Sequence, residues 1–104
     1  MIARQGDILF KSTNLGTSAP RVKVGKSVVI AEGEKTGHKH VLTSTKPIEV
    51  TKTFGDQIAR VILAEPGEIT HDEHGTVTLE AGTYDVVREQ ELDHADRKLY
   101  DVVD

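Results

Sequence analysis

Turn-forming residues interrupt this chain at short intervals, and this feature limits it to short regular elements. Nine glycines and three prolines divide 104 residues, and segments of about ten residues between turns are usual in small β proteins. Segments such as 47–54 and 76–80 alternate apolar and polar residues. Alternation with a period of two is typical of strands with one buried face. The pattern predicts an all-β fold, a small antiparallel barrel or sandwich of seven or eight short strands.

The predicted strands are bounded by glycine, proline or polar turn residues. They comprise residues 5–11, 26–33, 38–44, 47–54, 57–65, 76–80 and 83–92. The second and third are expected to form a hairpin around a turn at 34–37. Near the C-terminus, apolar residues at helical spacing predict at most a single helical turn, because the segment is short for a stable helix. We expect one β domain over residues 1–104.

Composition excludes several classes of protein. The chain has no cysteine and therefore neither disulfides nor thiolate ligands. Its net charge is −4 and it has two Phe, two Tyr and no Trp, so we expect no nucleic-acid partner, which would need a basic surface or exposed rings. No segment has the apolar length of a signal peptide or a membrane span. We therefore expect a cytoplasmic protein without a membrane partner.

Charge is distributed unevenly along the chain. Residues 1–52 hold nine Lys or Arg against four Asp or Glu, and residues 53–104 hold four against thirteen. Opposite charges either pair across neighbouring strands or orient one subunit against another. The second alternative predicts a homo-oligomer, in which the polar segment 11–26 would become ordered on a neighbouring subunit.

The histidines form two close pairs, and the first is His38 and His40 in the motif Gly-His-Lys-His. Side chains alternate along a strand, so both imidazoles would project from one face with their Cα atoms about 6.5–7 Å apart. Two rings at this separation can converge on one ion, because metal–nitrogen bonds are about 2.0–2.1 Å long. Leu42 continues the same face and is expected to form an apolar floor beneath them.

The second pair lies in a predicted bend, where His71 and His74 flank Asp72 and Glu73. A spacing of three suits a turn or a short 3₁₀ segment. Either carboxylate could bind a metal, orient an imidazole or act as general base beside a metal-bound water. Asp72 and Glu73 are therefore the candidate catalytic residues. The fifth histidine, His94, is expected at the surface.

Several imidazoles with a carboxylate suit a divalent metal, namely zinc, iron, manganese, nickel or copper, and the affinity order does not choose among them. Each pair alone is also typical of a polar surface, and clustered histidines without metal could act as a pH-dependent switch. We interpret the two pairs together as one metal site, formed by His38, His40, His71 and His74. An open site with three ligands would suit catalysis, and a closed site with four would be structural.

The Gly-His-Lys-His strand and the later segment 65–71 together resemble the cupins. These small β-barrels hold a metal through an HxH pair, a glutamate and a later histidine. The resemblance implies a β-barrel and a metal bound by His38, His40 and His71. It supplies no glutamate ligand, because the cupin glutamate follows the pair within a few residues, whereas the next acid here is Glu49.

A second resemblance covers most of the chain. The segments RQGDILF, AEGEKTGHKHVL and HDEHGTVTLEAGTYDVVREQEL are similar, in this order, to a group of short uncharacterised proteins of bacteria and their phages. The GHxH and HxEHG segments are its specific parts. The resemblance implies no particular activity, and the occurrence of the group in phages keeps a role in the virion open.

Two functions are compatible with these observations. The first is a small β-barrel that binds a divalent metal, with metal-activated water attacking a small substrate if the protein is an enzyme. The chain has no nucleophile-elbow motif and no phosphate-binding P-loop, so covalent catalysis and nucleotide binding are not predicted. The alternative is an assembly module, such as a capsid decoration protein or another oligomeric interaction domain. The sequence alone does not decide whether the protein is an enzyme.

Overall fold

The computed structural model describes residues 2–32, 38–53, 55 and 57–88, and it confirms the all-β prediction. The described part contains eight strands, all paired antiparallel. They are β1 (Ile2–Gln5), β2 (Ile8–Ser12), β3 (Val22–Glu32), β4 (Lys39–Lys52), β5 (Ile58–Leu63), β6 (Gly67–Thr70), β7 (Val77–Leu79) and β8 (Gly82–Arg88). Within the described residues, no helix has the length and apolar character needed to cross a membrane. The predicted turn at 34–37, the helical turn near the C-terminus and His94 lie outside this part of the chain.

The strands form a nearly closed barrel. Their order is β1-β2-β8-β5-β4-β6-β7, and β3 pairs with β4 outside this path. The first and last strands of the path, β1 and β7, lie against each other. The barrel therefore has a seam between them, next to the turn that joins β1 to β2.

Strand β4 is continuous over 14 residues, whereas the sequence predicted two strands separated near Pro47. Thr43 pairs with Ser27 and Ile48 pairs with Gly25. The five-residue advance from Thr43 to Ile48 on β4 therefore lies opposite a two-residue advance on β3. The extra residues form a bulge, and proline is tolerated there because its position needs no ladder hydrogen bond. On either side of this bulge β4 has different partners, β6 for its first half and β5 for its second.

Three other segments differ from the prediction. Strand β3 begins at Val22, four residues before the predicted start at residue 26, so part of the segment 11–26 belongs to the barrel. The segment 5–11 is not one strand, because Gly6 and Asp7 form a tight turn between β1 and β2. Gly6 has a φ of +61°, which glycine adopts with little strain. No strand was predicted between the segments 57–65 and 76–80, but Gly67 begins strand β6. A Cβ atom at Gly67 would lie 3.0 Å from the Thr43 carbonyl oxygen, so glycine allows β6 to pack closely on β4.

The core consists mainly of isoleucine, valine and leucine. Its buried members are Ile8, Phe10, Ile30, Leu42, Ile48, Val50, Ile58, Val61, Leu63, Ile69, Leu79, Tyr84 and Val86. In the first half of β4, the interior face carries His40 and Leu42 in succession. His40 is therefore the polar member of a row of interior side chains on β4 that continues into the core.

Candidate metal centre

The four histidines of the two predicted pairs come together at one end of the barrel. Val41 of β4 pairs with Thr70 of β6, so the start of β4 lies beside the residues that follow β6. The centroids of the rings are 4.4 Å apart for His40 and His71, 4.6 Å for His71 and His74, and 6.2 Å for His40 and His74. His38 joins the group through His71, at 5.8 Å. We call these four residues the histidine cluster.

The separations within the cluster match those expected around one ion. A nitrogen–metal bond of about 2.0–2.1 Å places the ring centroid roughly 3.2 Å from the metal, so two rings at a tetrahedral angle have centroids roughly 5 Å apart. The observed separations, 4.4–6.2 Å, lie on both sides of this value. The spacing of the ring centroids is therefore close to that expected around a single ion.

His40 is the enclosed member of the cluster, with 1% of its surface exposed. Its Nδ1 is 2.9 Å from Oε1 of Gln5, and its Nε2 is 3.6 Å from a carboxylate oxygen of Asp7. Burial lowers the pKa of the His40 imidazole below its ordinary value and repulsion from His71 lowers it further, while Asp7 raises it in part. The ring is therefore neutral at neutral pH, which is the form that binds metals.

Gln5 holds the site together from the end of β1. Its side-chain amide is buried and donates to the backbone carbonyl oxygens of Ile69, at 2.8 Å, and Gly75, at 2.9 Å. Together with the bond to His40, these contacts connect β1, β4, β6 and the loop after β6. One side chain thus bridges the seam of the barrel and fixes the segment that carries His71 and His74.

The turn between β1 and β2 also shapes the site. A Cβ atom on Gly6 would lie 2.7 Å from Nε2 of His74 and 3.4 Å from Cε1 of His40. The absence of a side chain at Gly6 therefore lets His74 approach the backbone of the turn. The next residue, Asp7, directs its carboxylate to the other side of His40.

His38 and the two candidate catalytic carboxylates lie on the outer side of the cluster. The Nδ1 of His38 is 3.8 Å from Asp72 and its Nε2 is 3.6 Å from Glu73, distances too long for direct hydrogen bonds. The Nδ1 is buried and has no hydrogen-bond partner among the described residues. Both carboxylates are mostly exposed, so they face solvent next to His38 rather than the enclosed His40.

His71 occupies the middle of the cluster but is engaged with its own loop. The backbone N–H of Glu73 donates to its Nδ1 at 3.0 Å. This bond would have to break before Nδ1 could bind a metal. In keeping with this arrangement, no group of three or more histidine, aspartate or glutamate side chains in the described residues has a geometry ready to hold a metal ion.

Gln5, Gly6 and Asp7 were missed by the sequence analysis as parts of the site. The Gly-Asp dipeptide between two apolar segments is a usual signal for a two-residue hairpin turn, and it was present at positions 6 and 7. Recognising the turn would have placed these residues at a barrel end. The approach of this turn to His40, by contrast, depends on strand order, which a local pattern does not encode.

Comparison with known proteins gives one match. A family model described as a domain of unknown function (DUF8820) matches residues 4–89. No curated protein and no solved structure matches the chain significantly. The matched range includes every described residue of the histidine cluster and of the β1–β2 turn.

Proposed function

We propose that this chain, which belongs to the DUF8820 family, a domain of unknown function, binds a divalent transition-metal ion at the end of the barrel where the histidine cluster lies. The proposed ligands come from His38, His40, His71 and His74, with Asp7 as the nearest carboxylate to the enclosed imidazole. The observation that carries the proposal is the convergence of four imidazoles from two distant segments, with ring centroids 4.4–6.2 Å apart.

The environment of His40 supports a cation at this place. A neutral imidazole has one unprotonated nitrogen, and a buried acceptor costs free energy unless a donor or a cation satisfies it. The carboxylate of Asp7 lies 3.6 Å from Nε2 of His40 and adds negative charge on the same side. A divalent ion between these groups would be attracted by the carboxylate and bound by the imidazole.

The ligand types restrict the identity of the ion. Imidazole nitrogens suit zinc, copper, iron and nickel, and a carboxylate extends the range to manganese, while magnesium and calcium prefer oxygen ligands. Zinc and these redox-active metals are therefore the candidates, and calcium is the matched negative control.

Chemistry on a small substrate is the further part of the proposal. A metal with an open coordination position lowers the pKa of bound water and supplies a nucleophile. Asp72 and Glu73 are proposed as general bases, because both lie beside His38 on the solvent side of the cluster. A substrate would enter from the same side.

Metal binding is tested with protein prepared without a polyhistidine tag. We expect one equivalent of zinc, nickel, manganese, iron or copper by elemental analysis after dialysis, and its loss in the double variant His40→Ala with His74→Ala. The variant His94→Ala is the control, because this histidine lies outside both pairs, and it should keep the metal. Protein that takes up none of these ions, or a double variant with full occupancy, would contradict the proposal.

Acidification gives a second test. Metal binding requires neutral imidazoles, so protons compete with the ion as the pH falls through the range where histidines titrate. We expect metal to be released below about pH 6. Full occupancy at about pH 4.5 would show that histidines are not the ligands.

An assembly module is the second candidate function, and strand β3 favours it. β3 pairs with β4 at one edge and is 11 residues long, and it exposes Val22 and Val29. Long strand edges with exposed apolar residues are sites at which a second chain can add. Sedimentation velocity should then show a mass that rises with concentration and returns to a monomer in Val29→Lys. A monomer at all concentrations would exclude this function.

A further inference from the structure

The side-chain amide of Gln5 is a buried polar group next to the histidine cluster, and the proposed metal site does not use it as a ligand. This side chain is 2% exposed and lies at the end of β1, yet it makes three hydrogen bonds to three other segments. Two of its partners are backbone carbonyls and the third is His40. A buried amide whose two N–H groups and oxygen all have partners constrains those partners as they constrain it.

The orientation of the amide follows from the two carbonyls. The oxygens of Ile69 and Gly75 can only accept, and they lie 2.8 and 2.9 Å from the same terminal atom of Gln5. That atom must be the NH₂ group, because a flipped amide would place its oxygen against two other oxygens. Oε1 therefore faces Nδ1 of His40, 2.9 Å away.

The protonation of His40 follows in turn. An amide oxygen only accepts, so Nδ1 of the ring must carry the hydrogen that it donates. In a neutral ring the other nitrogen, Nε2, then has no hydrogen, and it is this nitrogen that lies 3.6 Å from Asp7. We infer that Gln5 is a positioning residue, which fixes the tautomer of His40 so that the lone pair of Nε2 faces the metal position. This inference rests on the proposed function for the role of Nε2 as a metal ligand, whereas the tautomer itself follows from the hydrogen bonds of Gln5.

His71 provides a contrast within the same cluster. Its Nδ1 accepts the backbone N–H of Glu73, so a neutral His71 carries its hydrogen on Nε2. Two neighbouring rings are thus held in opposite tautomers by their partners. His40 is prepared to bind an ion with no rearrangement of its hydrogen bonds, whereas His71 has to release its loop first.

Gln5 also links the tautomer to the position of the loop. The same NH₂ group that sets the direction of Oε1 holds the carbonyl of Gly75, next to His74. Groups that orient metal ligands in this way typically change metal affinity by about 10–100-fold when they are removed. Loss of Gln5 should therefore affect both the enclosed His40 and His74 in the loop after β6.

The first experiment measures the tautomer without metal. Nitrogen-15 NMR of chelator-treated protein above neutral pH should show His40 as the Nδ1–H form, which is the less common tautomer of free histidine. In Gln5→Met the acceptor is lost, and His40 should shift to a mixture or to the Nε2–H form. In Gln5→Glu the acceptor remains, so the Nδ1–H form should persist while the bonds to Ile69 and Gly75 are lost. A wild-type ring with hydrogen on Nε2, or a tautomer unchanged in Gln5→Met, would overturn the inference.

The second experiment measures zinc affinity by calorimetry in the same proteins. Gln5→Met should bind zinc about 10–100-fold more weakly than the wild type. Gln5→Glu should fall between the two, because it keeps one of the two effects. Equal affinity in all three proteins would contradict a positioning role.

The two proposals fail in different ways. If no metal binds but the tautomer depends on residue 5, the proposed function is wrong and the action of Gln5 on His40 stands. If metal binds and the tautomer is independent of residue 5, only the inference is wrong. If Gln5→Met does not fold, as judged by amide dispersion in the NMR spectrum, the wild-type tautomer and the Gln5→Glu variant still decide it.

Discussion

At the scale of single residues, the arrangement of the histidine cluster depends on the absence of a neighbouring side chain as well as on the histidines themselves. Gly6 is the clearest example, since its place is next to His74 and its conformation is left-handed. A side chain at this position would displace the imidazole of His74 without removing any histidine. It therefore separates the geometry of the cluster from its chemistry.

Gly6→Ala should displace His74 and weaken metal binding by roughly tenfold or more, comparable to the loss of an orienting group. The added Cβ would lie 2.7 Å from Nε2 of His74, which must move. The matched control is Gly25→Ala, where φ is +95° and nothing lies within 4 Å of the added atom. Both variants should lose about 1–2 kcal/mol of stability from the left-handed backbone, but only Gly6→Ala should change the zinc affinity measured by calorimetry.

Buried His40 should make the stability of the metal-free protein depend on pH. The unfolded chain binds a proton at this ring near pH 6.5, whereas burial lowers the pKa in the native state. Below about pH 6.5 the unfolded state therefore holds more protons, and the free energy of unfolding falls as the pH decreases towards the native pKa.

This dependence should be weaker in His40→Gln, which removes the titrating group. Urea denaturation of chelator-treated protein between about pH 7.5 and pH 5 measures both slopes. Above about pH 6.5 the imidazole does not change the slope of the unfolding free energy with pH, so the slopes of the two proteins should differ only below this pH. Equal slopes throughout would mean that His40 titrates normally in the folded protein.

At the scale of strands, the sequence predicted some elements well and others not at all. Residues 76–80 alternate clearly and were predicted as a strand, and they contain β7, in which Leu79 is buried. The hairpin of β3 and β4 was also predicted, since valines and isoleucines mark both strands. Gly67–Thr70 gave no comparable signal, because the strand is four residues long and begins with the glycine of a Pro-Gly pair. Its existence depends on pairing with β4, which is a tertiary contact.

The candidate site divides in the same way. The histidine pairs were visible because identical residues at short spacing stand out in one sequence. Their meeting was predicted and is observed, since β4 pairs with β6. The partners Gln5 and Asp7 were not visible, because their approach to His40 depends on closure of the barrel. Sequence patterns thus found the four histidines and not the polar side chains next to His40.

Gly67→Ala tests the close packing of β6 on β4. The added methyl group would meet the Thr43 carbonyl oxygen at 3.0 Å and a methyl of Leu42 at 3.1 Å, both in a buried environment. Overpacking of this kind costs about 1–3 kcal/mol, which a shift of the urea midpoint would show. Gly16→Ala is the control, because nothing lies within 4 Å of the added atom, and its stability should be unchanged or slightly raised. Equal stability of both variants would mean that β6 can move away from β4 without cost.

At the scale of the whole molecule, two side chains connect strands that the main ladder leaves apart. Gln5 bridges the seam at one end. Elsewhere, Arg88 of β8 donates to the carbonyl oxygens of Ile58 in β5 and Ile30 in β3, each at 3.0 Å, and its side chain so links β5 to β3. These strands otherwise connect through β4. Polar side chains thus connect strands of the barrel that are not joined to each other by backbone pairing.

Arg88→Met should destabilise the protein by about 1–3 kcal/mol, because two buried or partly buried carbonyls lose charged donors. The control is Lys46→Met, which removes an exposed ion pair with Glu65 at 3.7 Å and should cost about 0.5 kcal/mol or less. Thermal unfolding of both variants measures the difference. A loss no larger in Arg88→Met than in Lys46→Met would show that the bridge adds little to closure.

The seam between β1 and β7 has a consequence for the rate at which an ion would leave. One wall of the proposed site is the β1–β2 turn, and Gln5 fastens the end of β1 to the strands across the seam. Movement of β1 and this turn away from β7 would break the contacts of Gln5 and Asp7 with His40 and expose the ion, while β2 stayed paired with β8. The residence time of the metal would then depend on how often β1 and this turn move outward, rather than on how strongly the four imidazoles attract the ion.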